Sequence, residues 1–313
     1  MSNIKQLQKE LQKKGYNIKF ASEIKEEQKI RTGVFALDYV LGGGIGEKHR
    51  IEFWGKEGGG KSLCALLTIK KFQQLNKSCL LIDAERSFTV EWGEKLGLNL
   101  KTLLYCLPNS LEEMGDELYK VIVSGVDLVV VDSIISLIPE GELERATNEP
   151  QMALNAKINS LITKKVYSAL SNSNTSIIFI NQLREKIGVY GNPYTVSGGH
   201  GLLHLYDTRV EFRSGKFIED KDKNKIGIQL HFHCNKNRRG TPGRTAELDF
   251  YFDGKIDNIK SLLHQAIRFG IIKQSGAWVE YKNTKVQGKE KLIETLTEKD
   301  WKEIEEEIWK NLK

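Results

Sequence analysis

Residues 51–62 read Ile-Glu-Phe-Trp-Gly-Lys-Glu-Gly-Gly-Gly-Lys-Ser, a short apolar strand that runs straight into a G-x-x-x-x-G-K-S loop. The apolar run Leu63-Cys64-Ala65-Leu66-Leu67 then predicts a helix. Strand, loop and helix in this order constrain the chain to an α/β fold that holds a nucleoside triphosphate. Gly55, Gly58, Gly59 and Gly60 let the backbone fold round phosphate oxygens with its N–H groups pointing inward. Lys56 and Glu57 complete the loop. Lys61 is placed to reach the β- and γ-phosphates, and the Ser62 hydroxyl to hold Mg²⁺. Leu63 begins a helix whose positive end faces the anion. The alternative, a plain glycine turn, leaves that order unexplained.

The 313 residues have room for one large α/β core and a smaller appendage. A net charge of +6 favours an anionic partner. No stretch approaches ~18 consecutive apolar residues, and the start Met-Ser-Asn-Ile-Lys-Gln lacks a signal-peptide core. A cytoplasmic protein with no membrane partner is expected. Cys64, Cys79, Cys106 and Cys234 are far apart and form no C-x-x-C pair, so reduced thiols are expected rather than a zinc site or a disulfide framework.

Ile4, Leu7 and Leu11 share one face of an N-terminal helix that Gly15 ends, followed over 16–30 by a brief strand and a charged connector. Residues 1–30 are too small to bury this stripe alone, so they must pack either on the main domain or, as the expected oligomerisation segment, on another protomer. From Arg31 onward short β runs alternate with helical stretches. The expected strands are 51–54, 79–83, 128–132 and 177–181, whose continuous apolarity suits a mostly parallel sheet covered by helices on both faces. Between them Leu111, Met114, Leu118 and Ile122 keep helical spacing, as do Leu154, Ile158, Leu161 and Ile162. Runs 208–213 and 226–234 flank a charged hairpin tip at 219–225. The core therefore spans 31–258. A small C-terminal α+β domain, 259–313, ends in a helix with Trp301, Ile304, Ile308 and Leu312 on one stripe.

Strand 128–132 ends in Asp132, four apolar residues followed by an acid, which is the Walker B arrangement for holding the water shell of Mg²⁺. Strand 79–83 ends in Asp83-Ala84-Glu85, at the sheet end where α/β proteins bind ligands. Glu85 is either the residue that orients an attacking water or a surface acid. Gln182, after strand 177–181, is either a γ-phosphate sensor or a plain strand-end amide.

Taken together, Gly55–Ser62, Ile82-Asp83-Ala84-Glu85, Val129-Val130-Val131-Asp132-Ser133, Ile180-Asn181-Gln182-Leu183-Arg184, Lys186-Ile187-Gly188-Val189, Gly191-Asn192-Pro193 and Gly198-Gly199 follow one another in an order that resembles the bacterial RecA recombinase family. The resemblance runs from about Arg31 to Trp278. It implies a RecA-type core and a DNA-dependent ATPase that polymerises as a helical filament on single-stranded DNA, then pairs and exchanges it with a homologous duplex. ATP and Mg²⁺ would sit between protomers, and a single-strand-binding protein or loading mediator would be a further partner.

By match, Lys61 and Ser62 bind phosphate and metal, Asp132 supports the metal through water, Glu85 activates water, and Gln182 reports the γ-phosphate. Lys236 and Arg238 match the cations that reach the neighbouring protomer's ATP, with a generic phosphate-attracting patch as the alternative. Trp92 falls where the family places an aromatic against adenine, although a core tryptophan would fit there too. Two segments, about 142–151 and 184–200, match the DNA-binding loops. Met152 and Ile187 match apolar wedges between bases. Lys157, Ser160, Lys164 and Arg184 match backbone contacts, while Gly198, Gly199 and His200 close the second loop. This mixture suits binding without base-edge readout.

The sequence also departs from the family. Thr89 replaces a common acid near adenine, the second loop is one residue shorter, His204 takes a usually aromatic position, and no acidic tail follows Leu312-Lys313. The short ends suit a phage or mobile-element recombinase. The competing expectations are a RecA-like accessory ATPase without strand exchange and a ring-forming helicase.

Overall fold

The computed structural model describes residues 2–24, 27–134, 136–143, 152–185, 194–196 and 199–312. Its helices in chain order are α1 (Ser2–Lys13), α2 (Phe35–Leu41), α3 (Lys61–Gln74), α4 (Val90–Leu96), α5 (Leu111–Val123), α6 (Glu140–Leu143), α7 (Met152–Ser171), α8 (Gly199–Leu205), α9 (Asn258–Arg268), α10 (Lys289–Thr295) and α11 (Glu298–Asn311). The strands are β1 (Arg50–Gly55), β2 (Cys79–Asp83), β3 (Leu103–Cys106), β4 (Leu128–Asp132), β5 (Ser176–Glu185), β6 (Tyr194–Val196), β7 (Thr208–Glu219), β8 (Lys225–Asn237), β9 (Thr245–Tyr251), β10 (Ile256–Asp257), β11 (Lys273–Ser275), β12 (Trp278–Tyr281) and β13 (Thr284–Gln287).

One ten-stranded sheet runs in the order β10-β9-β8-β7-β1-β5-β4-β2-β3, with β6 paired to β5. Strands β7, β1, β5, β4, β2 and β3 are parallel, and β8, β9 and β10 extend the sheet from β7 by successive antiparallel pairings. Every residue of β2 and β4 is buried, which explains their unbroken apolarity: side chains alternate between two covered faces. Leu81 and Val130 enter the cluster under α2, α3, α9 and α11, while Leu80, Val129 and Val131 enter the one under α5, α7 and α8. Helix α5 begins where Ser110 accepts a hydrogen bond from the Glu113 amide, and it buries Leu111, Met114, Leu118 and Ile122.

Two expectations about local structure need correction. Among the described residues, 16–30 form no strand: the segment has a 3₁₀ turn, Ala21–Glu23, and a single bridge from Ile30 to Ile45. Its backbone follows the main domain without a ladder to join. β3 was not expected at all. It is a four-residue edge strand with Leu104 and Tyr105 exposed, so its pairing with β2 leaves no pattern in its own residues.

In the last segment, β11, β12 and β13 form a small antiparallel sheet, and Trp301, Ile304 and Ile308 of α11 are buried. These residues join the same apolar cluster as α2, with the Phe35 and Trp309 rings 5.5 Å apart. In the same region lies the buried Asp38, whose carboxylate accepts from the Thr32 amide at 2.7 Å. Loss of hydration pushes its pKa up to about 7, against the opposing Thr32 hydrogen bonds and Arg31. A raised carboxyl pKa contributes stability that is fully present below about 4 and is lost as pH rises through about 7. Asp38→Asn keeps the acceptor and removes the charge. It should flatten the urea-melt stability across that window and stabilise the fold by about 2 kcal/mol at pH 8.

Candidate nucleotide-binding site

β1 delivers residues 55–60 to the carboxyl end of the sheet, and α3 leaves from Lys61. Gly55 has φ +152°, and a Cβ there would strike the Phe212 carbonyl of β7. Gly60 has φ +85° and would strike the Leu230 side chain of β8. The loop is thus wedged between two strands while Gly58 faces open space, a backbone cradle that only glycine can form. Lys61 is buried, and its amine donates to the carbonyls of Gly55 at 3.1 Å and Lys56 at 2.8 Å. Burial lowers its pKa, opposed by Asp132, Glu85 and Glu57. The positive end of α3 and this amine together make an anion site.

The Ser62 hydroxyl donates to Asp132 Oδ2 at 2.6 Å. Burial raises the Asp132 pKa to about 6, with Glu85 and Asp83 adding to the rise and the Ser62 bond and Lys61 opposing it. The neighbouring Asp83 stands opposite Asp132 in the β2–β4 ladder. Its carboxylate accepts from the Ser87 and Phe88 amides and the Tyr105 hydroxyl, so it shapes the turn after β2. Glu85 lies in that turn. Its Oε1 accepts from Gln182 Nε2 at 2.8 Å, Ser133 Oγ at 2.6 Å and Ser136 Oγ at 3.1 Å. Lys61, Ser62, Glu85, Asp132 and Gln182 therefore converge at the ends of β1, β2, β4 and β5. Sequence reasoning missed Ser133 and Ser136. The only available signal was the placement of Ser133 directly after Asp132.

Trp92 lines a cavity of about 110 Å³ together with Ser62, Ser87, Phe88 and Asp132. Its ring also meets Phe250 edge-on at 6.3 Å. One residue thus borders the site and packs on the core. Thr89 caps α4 by accepting from the Trp92 amide. Threonine and aspartate both cap helices, so the departure at this position leaves α4 intact.

Lys236 and Arg238 sit elsewhere. Lys236 Nζ donates to the Leu203 carbonyl at 3.0 Å and Arg238 Nη1 to the His204 carbonyl at 3.3 Å, both in α8. Met152 opens α7, on which Lys157, Ser160 and Lys164 follow at helical spacing and are exposed. Arg184 is near the end of β5 and pairs across to Thr195 of β6, and Gly199 and His200 open α8. Ile187 and Gly198 lie outside the described residues, as do 144–151 and 186–193. Among the described residues, no helix is long and apolar enough to cross a membrane, and no group of three His, Cys, Asp or Glu side chains is placed to hold a metal. Ser62 and Asp132 fit a metal only as a pair that phosphate and water oxygens complete. Cys64, Cys79, Cys106 and Cys234 are free thiols.

Residues 1–257 match the RecA N-terminal domain. The RecA protein of Chloroherpeton thalassium is 37% identical over 276 residues, 87% of this chain and 76% of that protein. The RecA protein of Thermus thermophilus is 36% identical over 284 residues, 89% of this chain and 83% of that protein. The RecA protein of Chlorobaculum tepidum is 36% identical over 281 residues, 88% of this chain and 81% of that protein. An accessory role without strand exchange is not favoured by relatives that are themselves RecA. Likeness of this extent, running through the glycine loop and every strand end that meets at it, means that the chain belongs to the RecA family: it is a recombinase and a DNA-dependent ATPase.

Proposed function

We propose that the nucleotide is ATP with Mg²⁺, held at the seam between adjacent protomers of a filament on single-stranded DNA, and that this protein acts in the cytoplasm. The bound metal would neutralise phosphate charge and orient the phosphate oxygens. Lys61 would exchange its two loop carbonyls for phosphate oxygens. Ser62 would turn its hydroxyl from Asp132 to the metal, with Asp132 holding a metal-bound water. Glu85 would orient the attacking water and accept its proton, and Trp92 would lie against the base. The observation that carries this reading is the 2.8 Å bond from Gln182 to Glu85. It joins the carboxylate at the reaction centre to the strand that leads into 184–200, so loss of phosphate is felt where DNA is held. Met152, Lys157, Ser160, Lys164 and Arg184 would line the DNA side, together with Ile187, Gly198, Gly199 and His200. Residues 1–30 would dock on a neighbour, in keeping with the exposed Ile4 and Leu7 of α1.

Electron microscopy of the protein with ATP, Mg²⁺ and single-stranded DNA tests the assembly. Helical filaments are expected, whereas closed rings or dispersed protomers would refute the reading. Lys236 and Arg238 would stabilise charge on the neighbour's transferring phosphoryl group. Lys236→Ala should therefore lower DNA-stimulated hydrolysis by about 100-fold while the isolated protomer stays folded by circular dichroism. Normal stimulation in that variant would remove the proposed role across the interface.

A further inference from the structure

A row of polar side chains crosses four neighbouring strands. Lys236 of β8 stands opposite Arg209 of β7, and Arg209 stands opposite Glu52 of β1. On the other side Glu52 pairs with Phe179 of β5, so Asn181, two residues further on, points to the same face. Glu52 has no exposed surface. One of its oxygens accepts from Asn181 Nδ2 at 2.9 Å and the other from Arg209 Nε. The Arg209 guanidinium also lies over the Trp54 ring, 5.2 Å from its centre. A carboxylate buried this deeply in the middle of a parallel sheet is costly to hold, and an apolar residue would satisfy packing at least as well. Its two ends explain what the charge is there to do. Asn181 directly precedes Gln182, which touches Glu85. Lys236 is the cation assigned above to the neighbouring protomer's phosphate, and its charge feels both Arg209 and Glu52.

We propose that Glu52 is a positioning residue that couples the two nucleotide sites each protomer touches. When Lys236 leaves the Leu203 carbonyl for a neighbour's phosphate, the repulsion it exerts on Arg209 falls. The Arg209–Glu52 pair then holds Asn181 more firmly, and with it the end of β5, which keeps Gln182 on Glu85. The inference rests on the roles proposed above for Lys236 and Gln182.

The test is steady-state ATP hydrolysis on single-stranded DNA by Glu52→Gln, Glu52→Asp, Lys236→Ala and the Glu52→Gln/Lys236→Ala double variant. Glu52→Gln keeps volume and a hydrogen bond to Asn181 and loses the charge that holds Arg209. Its kcat should fall about tenfold with KM for ATP unchanged, and Glu52→Asp should recover most of the loss. In the double variant Glu52→Gln should add less than about twofold to the Lys236→Ala loss, because both act through one row. Losses that multiply in the double variant, or parental kcat in Glu52→Gln, overturn the coupling. Parental activity in Lys236→Ala overturns the interface reading itself, which is a distinguishable result. If Glu52→Gln does not fold, Arg209→Lys, which keeps the charge and loses Nε, carries the same comparison.

Discussion

Lys61→Ala is expected to lower ATP turnover by about 1,000-fold and to remove nucleotide-dependent DNA binding. The amine is buried at the head of α3, on the carbonyls of Gly55 and Lys56, with Asp132, Glu85 and Glu57 sustaining its charge. A cation in so poorly hydrated a place acts far more strongly on phosphate than it would in water. Alanine removes the amine's hydrogen bonds to the Gly55 and Lys56 carbonyls, a cost of about 1 kcal/mol each that the fold can absorb. Circular dichroism should therefore match the parent while DNA retention on a filter no longer responds to ATP. Unchanged turnover would refute the phosphate-loop assignment.

Glu85→Gln should separate binding from chemistry. The amide keeps the shape and an acceptor for Gln182, Ser133 and Ser136, which all bond to Oε1 in the parent. It cannot take a proton from water, so hydrolysis should fall by about 1,000-fold. Nucleotide affinity should change by only a few-fold, because the loop and Lys61 are untouched. Removing the Glu85 charge also relieves one of the influences that raise the Asp132 pKa, so the Asp132 carboxylate should ionise more readily. Filaments formed with ATP should then outlive those of the parent on a DNA tether. A turnover within about twofold of the parent would sink the water-activating role.

Much of this was legible in advance, for a local reason. β2 and β4 had to be apolar throughout because both faces of a parallel strand are covered, and each ends in an acid where the sheet opens. The helical stripe of α5 and the charged hairpin tip between β7 and β8 are equally local. What escaped depends on partners remote in the chain. β3 is held by β2, and β6 is held by an extension of β5 to Glu185, past the expected 177–181. Ser136 reaches Glu85 across 51 positions through a turn that no residue pattern announces. Glu52 lies inside the expected strand 51–54, and only the ladder sets Arg209 opposite it.

From residue order alone came the glycine cradle, the lysine and serine behind it, the acids at two strand ends and the alternation of strand and helix. Each is a short-range requirement: backbone must bend round phosphate, and a strand covered on both sides must exclude polar groups. The sheet order β1-β5-β4-β2 is not the chain order, and it is what brings Gln182 to Glu85 across 97 positions. That juxtaposition is a property of helices packed on two faces of one sheet, and no stretch of the chain contains it.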